Sequence, residues 1–212
     1  MKESTTKEKI LKKVRNALMQ DLPTSTADID FDNTIYNLSE EPLEIQFVEE
    51  FNKQGGQFIF CDDNEDLAEK IKMLSEQIDI SNIICADPKL LKMLEPSGIS
   101  FISNFKGEIE AHACITDCEF LISRSGSIMI SSKQTGGRKS MLSAPVIIVI
   151  AELDQLVSDI KDAMIKIRTK YPIIPSMLTM ITGPSKTMLP NYEVKDIGIG
   201  HKEMYLFLLD QF

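Results

Sequence analysis

From Pro42 onward, short strand-like runs, some such as "FIF" and "IICA" continuously apolar, alternate with amphipathic stretches of helical period. The strand-like runs are "QFIFC" (57–61), "NIICAD" (82–87), "GISFIS" (98–103), "PVIIVIA" (145–151), "MLTMITG" (177–183) and "EMYLFLLD" (203–210). Strands that are apolar on every residue are those covered on both faces, as in a parallel sheet sandwiched by helices. The intervening stretches supply the helices. "PLEIQFVEEFNKQGG" places Leu43, Phe47 and Phe51 on one face and stops at Gly55-Gly56. "DNEDLAEKIKMLSEQID" does the same with Leu67, Ile71, Leu74 and Ile78, and "PKLLKML" is a short third helix. The longest predicted helix is "LDQLVSDIKDAMIKIRTKY", with a stripe of Leu153, Leu156, Ile160, Ala163, Met164 and Ile167, ended by Pro172. Helix–strand alternation at this spacing predicts an α/β fold, largely parallel. "CEFLISRSGSIMISS" breaks the alternation. It predicts a hairpin turning at Ser125-Gly126, so some strands are antiparallel.

The first 41 residues have a different character. Residues 5–20 predict a helix with a Thr5/Glu8 capping box and an apolar stripe of Ile10, Leu11, Val14, Ala17 and Leu18. A polar, Pro23-containing connection follows. The expected organisation is therefore an N-terminal helix and irregular arm over 1–41 and an α/β domain over 42–212. The arm docks either on a neighbouring subunit of a homo-oligomer or on its own core.

A chain of 212 residues can bury a core without disulfides or a metal. Its net charge of −9 argues against nucleic acid as a partner, because phosphate contacts need clustered Lys and Arg. The same charge fits an anionic membrane surface poorly. No run approaches the length of a membrane span, and the charged N-terminus has no apolar signal core, so the expected location is the cytoplasm. Cys61 and Cys85 lie in strand-like runs and read as buried thiols. Cys114 and Cys118, spaced i, i+4 near His112, would share a face on a helix, but no second pair completes a zinc site, so no metal is expected. No cofactor can be named.

Three small-residue turns carry the functional expectation. "SRSGS" contains Ser125, Gly126 and Ser127; "TGGRKS" contains Gly136, Gly137, Arg138 and Ser140; "GPSKT" contains Gly183, Ser185, Lys186 and Thr187. The last is not a nucleotide phosphate loop, because the required second glycine before the lysine is missing. The turns read either as ordinary strand ends or as rims of one cleft for a small anion. In the second reading Gly126, Gly136, Gly137 and Gly183 allow close approach. Ser127, Ser140, Ser185 and Thr187 donate hydrogen bonds, and Arg138 and Lys186 neutralise charge. Neither His112 nor His201 sits in a triad pattern, and each reads as structural. Glu108, Glu110, Asp117 and Glu119 read as a solvated acidic face. No nucleophile or base can be named, so no reaction is assigned.

Three linked stretches carry a family resemblance: 116–164 from "TDCEFLISRSGSIMISS" through "DAM", then "ITGPSKT", then "GIGHKEMYLFLLD". In that order they resemble the lactate utilization protein C family, the LUD domain, over about residues 42–212. The resemblance implies a fold similar to the sugar-phosphate isomerase and CoA-transferase (NagB/RpiA/CoA transferase-like) superfamily, with a mixed, mainly parallel sheet and helices on both faces. It implies a subunit or accessory role in oxidation of L-lactate to pyruvate, with the iron–sulfur chemistry on partner oxidoreductases. The alternative is an assembly subunit with no ligand site. The chain departs from the family pattern at three places. Arg124 stands where many members carry Glu. Met188-Leu189-Pro190 replaces an acidic stretch, and a shortened "GIGHK" prevents His201 from being equated with the family histidine.

Overall fold

The computed structural model describes residues 6–19, 41–103, 111–134, 144–185 and 200–210. Contacts divide the chain into two units, Met1–Ser39 and Glu40–Phe212. The first contains α1 (Thr6–Met19). Thr5, the expected cap of that helix, lies outside the described residues.

The second unit is built around a six-stranded, wholly parallel sheet in the order β1-β10-β7-β4-β2-β3. Its strands are β1 (Gln57–Cys61), β2 (Ile83–Cys85), β3 (Phe101–Ile102), β4 (Ala113–Asp117), β7 (Val146–Glu152) and β10 (Glu203–Leu209). The apolar runs at 145–151 and 203–210 are unbroken because β7 and β10 are central strands with a core on each side. Ile147, Val149 and Ala151 of β7 enter one core with Met204, Leu206 and Leu208 of β10. Ile148 and Ile150 enter the other with Tyr205, Phe207 and Leu209.

The helices cover both faces. On one, α2 (Leu43–Lys53) buries Phe47 and Phe51, whose stacked rings lie 5.5 Å apart. Complete burial of a phenylalanine contributes roughly 1.5–3 kcal/mol. On the other, α3 (Asn64–Gln77) buries Leu67, Ile71 and Leu74, and α4 (Pro88–Met93) buries Leu90. Asp63 caps α3 through Asp66 N, and Asp87 caps α4 through Lys89 N and Leu90 N.

The antiparallel strands are segregated in a second sheet, β8-β5-β6-β9. It contains β5 (Phe120–Ile122), β6 (Ser127–Ser131), β8 (Leu156–Val157) and β9 (Leu178–Ile181). β5 and β6 form the expected hairpin, with a 3₁₀ turn at Ser123–Ser125 closed by Gly126. This sheet faces α2 and the parallel sheet on one side. On its other side it packs against α5 (Ile160–Lys170), through Phe120, Ile122, Met129, Ala163 and Ile167.

Two expectations need correction. The helix predicted from residue 153 begins only at Ile160. Glu152 and Gln155 close a capping box around a 3₁₀ turn at Leu153–Gln155, Leu156 and Val157 then pair with β5, and Asp159 caps the helix that follows. Cys114 and Cys118 do not lie on a helix: Cys114 is in β4 and Cys118 immediately follows it. Both are buried free thiols, as are Cys61 and Cys85. Burial raises Cys61 and Cys114 to about 12 and Cys85 to about 11, which leaves these thiols protonated and inert at neutral pH.

Candidate functional site

The two edges of the parallel sheet carry different chemistry. At the amino edge, two of the three small-residue turns meet. β9 pairs antiparallel with β6, so the end of one adjoins the start of the other. Ser127 Oγ lies 2.7 Å from Thr182 Oγ1 and 2.8 Å from Ser125 Oγ, a short chain of hydroxyls. Gly126 and Gly183 both have left-handed backbone, at φ +58 and +72. The space a side chain would need at each is filled by the C-terminal end of α2. A Cβ at Gly126 would lie 2.5 Å from Glu50 C and 2.7 Å from Phe51 Cα, and one at Gly183 would lie 2.5 Å from Gln54 O.

Gly136, Gly137, Arg138, Ser140, Lys186 and Thr187 lie outside the described residues. The flanks of their segments are described, and they meet at His201. Ser185 N donates to His201 O at 2.7 Å, and Gly200 packs against Ser185 Cβ. His201 Nδ1 lies 2.9 Å from Ala144 O. A carbonyl only accepts, so Nδ1 carries the proton and Nε2 presents a lone pair. Nε2 is buried and has no hydrogen-bond partner among the described residues, and the residue is 5 % exposed. Burial lowers the imidazole's affinity for a proton, with the Ala144 carbonyl opposing, so His201 is neutral at physiological pH.

Arg124, in the same hairpin turn, places its guanidinium 3.7 Å from Asp159, the cap of α5. His112 approaches Ser81 Oγ at 3.2 Å.

The carboxyl edge holds a cleft that the turn motifs do not point to. It encloses about 70 Å³ and is lined by Asp87, Lys89, Asp117, Glu152 and Gln155 over Leu90, Met93, Ile150 and Ala151. These residues follow or end β2, β4 and β7. The chain leaves β2 for β3 on one side and leaves β4 toward β7 on the other, so the cleft lies where the strand order reverses. Open α/β sheets bind ligands at such a point. Lys89 Nζ bonds Glu152 Oε1 at 2.8 Å. Gln155 donates to Cys118 O at 2.5 Å and accepts from Glu152 N at 2.7 Å.

Asp117 is the unusual member. One carboxylate oxygen, Oδ1, is buried with no partner among the described residues. Burial, then the Asp87 and Glu119 charges, push its carboxyl up to about 6. This sets a sign for stability. Well below 3.8, near pH 3, the group is protonated folded or unfolded, and the penalty for ionising it in the fold is absent. The penalty grows between the ordinary value of 3.8 and about 6, then stays constant. Asp117→Asn is therefore expected to stabilise the protein by about 1–3 kcal/mol near pH 8 and by almost nothing near pH 3. Thermal melts of both proteins across that range check it; coincident melts near pH 8 would remove the assignment.

Glu119 also departs from the solvated acidic face expected of it. It is 2 % exposed and accepts from Ser131 Oγ at 2.5 Å, Lys170 Nζ at 2.8 Å and Tyr171 OH at 2.8 Å. Glu108 and Glu110 are outside the described residues. Among the described residues no group of three His, Cys, Asp or Glu side chains is arranged to hold a metal ion. No helix among them is long and apolar enough to cross a membrane.

No curated protein matches this chain. Among solved structures, it is similar to the crystal structure of a DUF162 family protein from Deinococcus radiodurans. The TM-score is 0.61 at 16% sequence identity, covering 82% of this chain and 99% of that one. That likeness bears on the fold. The family description "LUD domain" matches residues 45–209, which span both sheets and both edges just described. The chain belongs to the LUD-domain family.

Proposed function

We propose that this chain is a subunit or accessory factor in the oxidation of L-lactate to pyruvate, binding a small anion at the amino edge beside His201. Electron-transfer chemistry in this reading belongs to iron–sulfur oxidoreductase partners. The observation that carries it is the junction at His201. Ser185, the residue before Lys186, bonds its backbone, and Ala144, at the end of the segment that holds Arg138, bonds its ring. In sequence, Lys186 directly follows Ser185, and Arg138 precedes Ala144 by six residues. Nε2 lacks a donor. A 2-hydroxy acid has both complements, a carboxylate for the cations and a hydroxyl for the ring nitrogen.

Thermal melts with lactate, pyruvate, phosphate, nucleotides and CoA test the site. A ligand at about a hundredfold excess over its dissociation constant stabilises by about 2.7 kcal/mol. For a chain of this size that is a rise of roughly 5–10 °C. The rise should disappear in Arg138→Ala and Lys186→Ala. If no anion moves the melt, or both variants respond like wild type, the site fails. The chain would then be better described as an assembly subunit without a ligand.

A further inference from the structure

The carboxyl-edge cleft is independent of the anion reading, and its chemistry is opposite. Each side-chain donor group that lines it already holds one bond within the chain. The Lys89 ammonium is bonded to Glu152 at the rim, where the lysine side chain is 68% exposed. The Gln155 amide is turned to the Cys118 carbonyl, and its backbone N–H to the Glu152 side chain. The backbone N–H groups of Lys89 and Leu90 are bonded to Asp87 Oδ1. Acceptor capacity is in excess. Among the described residues Asp117 Oδ1 is buried without a partner, and both backbone N–H bonds to the Asp87 carboxylate fall on one of its two oxygens. With Lys89 and Glu152 neutralising each other, Asp117 and Asp87 set the sign of the interior.

Such a site repels an anion and favours a guest that brings donors and positive charge. Its size sets the scale. About 70 Å³ exceeds the space of a single water and accommodates a small head group. Leu90, Met93, Ile150 and Ala151 supply an apolar wall for a short carbon stem. A metal ion fits poorly, because no three acidic or other ligating side chains among the described residues converge.

We propose that this cleft binds the head of a small organic cation, a protonated primary amine, with Asp117 as its carboxylate partner and Asp87 adding to the field. The groups that face or act on Asp117 are Asp87 and Lys89 of the β2–α4 corner, Glu152 of β7, Cys85 and Cys118 beside it, and Glu119 with Lys170 behind it. The thiols remain protonated, Lys89 and Lys170 remain charged, and Glu119 is held ionised by its hydrogen bonds. Asp117 is the member of this set whose charge changes near neutrality.

The test uses the whole chain and ethylammonium chloride as the probe, with ethanol and sodium acetate at matched ionic strength as controls. Backbone amide shifts read the binding. Ethylammonium should shift the amides of Asp87, Lys89, Asp117 and Gln155 saturably, and neither control should. Affinity should rise about tenfold between about pH 5 and pH 7, as Asp117 ionises. Asp117→Asn should abolish the saturable shifts. Lys89→Met, which removes the competing intramolecular ammonium, should strengthen binding severalfold. Arg138→Ala and Lys186→Ala should leave it unchanged, so this result and the anion screen fail separately. Shifts of equal size from acetate or ethanol, a flat pH profile in wild type, or weaker binding in Lys89→Met would each overturn the proposal.

Discussion

Gly126→Ala is expected to cost the domain about 3 kcal/mol, a fall in melting temperature of roughly 6–12 °C. Two costs add. The left-handed backbone at φ +58 strains any residue with a Cβ. The added methyl would also be driven into the backbone of α2, where Glu50 C and Phe51 Cα are fixed by the burial of Phe47 and Phe51. Backbone cannot rotate away as a side-chain tip can. Gly98 separates the two costs. It has a similar φ of +70, but a Cβ added there would meet nothing within 4 Å. Gly98→Ala should therefore lose only about 1 kcal/mol, the conformational part. Equal melts for the two variants would mean that α2 does not press on the hairpin turn as described.

Glu119→Ala should destabilise by about 3 kcal/mol, the second large effect. The carboxylate ties three elements together: Ser131 at the end of β6, and Lys170 and Tyr171 at the end of α5. Its removal leaves the buried Ser131 hydroxyl without its acceptor and opens a void under α5. Burial alone would raise this carboxyl, but bonds from Lys170, Ser131 and Tyr171 outweigh it and the net shift is downward. The sign follows. A depressed carboxyl contributes stability above its unfolded value of 4.5 and loses it as pH falls through the folded value. Wild type should therefore lose stability below about pH 4.5 more steeply than Glu119→Ala does. Asp117, two residues earlier, has the opposite slope because it lacks the partners that Glu119 has. Denaturant titrations at several pH values resolve both; parallel acid limbs for wild type and Glu119→Ala would refute the role given to the carboxylate.

The strands are legible where apolar runs are long. β7 and β10 can hardly be anything but central, and the hairpin follows from Ser125-Gly126. The long helix is over-read because Leu153, Leu156 and Ile160 keep a helical spacing by coincidence. Asp159, a cap in mid-stripe, is the local sign of the true start. β4 is hard to see because "ACITD" is short and mixes an acid and a threonine with its apolar residues. The site is harder for a physical reason. Gly126 and Gly183 are glycines because of a helix far earlier in the chain, and turn chemistry alone does not reveal that neighbour. Asp117 reads as one acid among many. Its abnormal proton affinity exists only once the ends of β2 and β7 close around it, a contact of high sequence separation.

The order of strands in the main sheet bears on how the chain reaches its fold during synthesis. β10 lies between β1 and β7, and Gln57 is in register with Tyr205. A ribosome releases β1 long before its neighbour exists. Until β10 emerges, β1 has no ladder partner and β7 has one open flank, each an apolar edge able to recruit a wrong strand. Pairing of β1 into this sheet therefore waits for β10, and the nascent intermediate before that point is where a chaperone would be most needed.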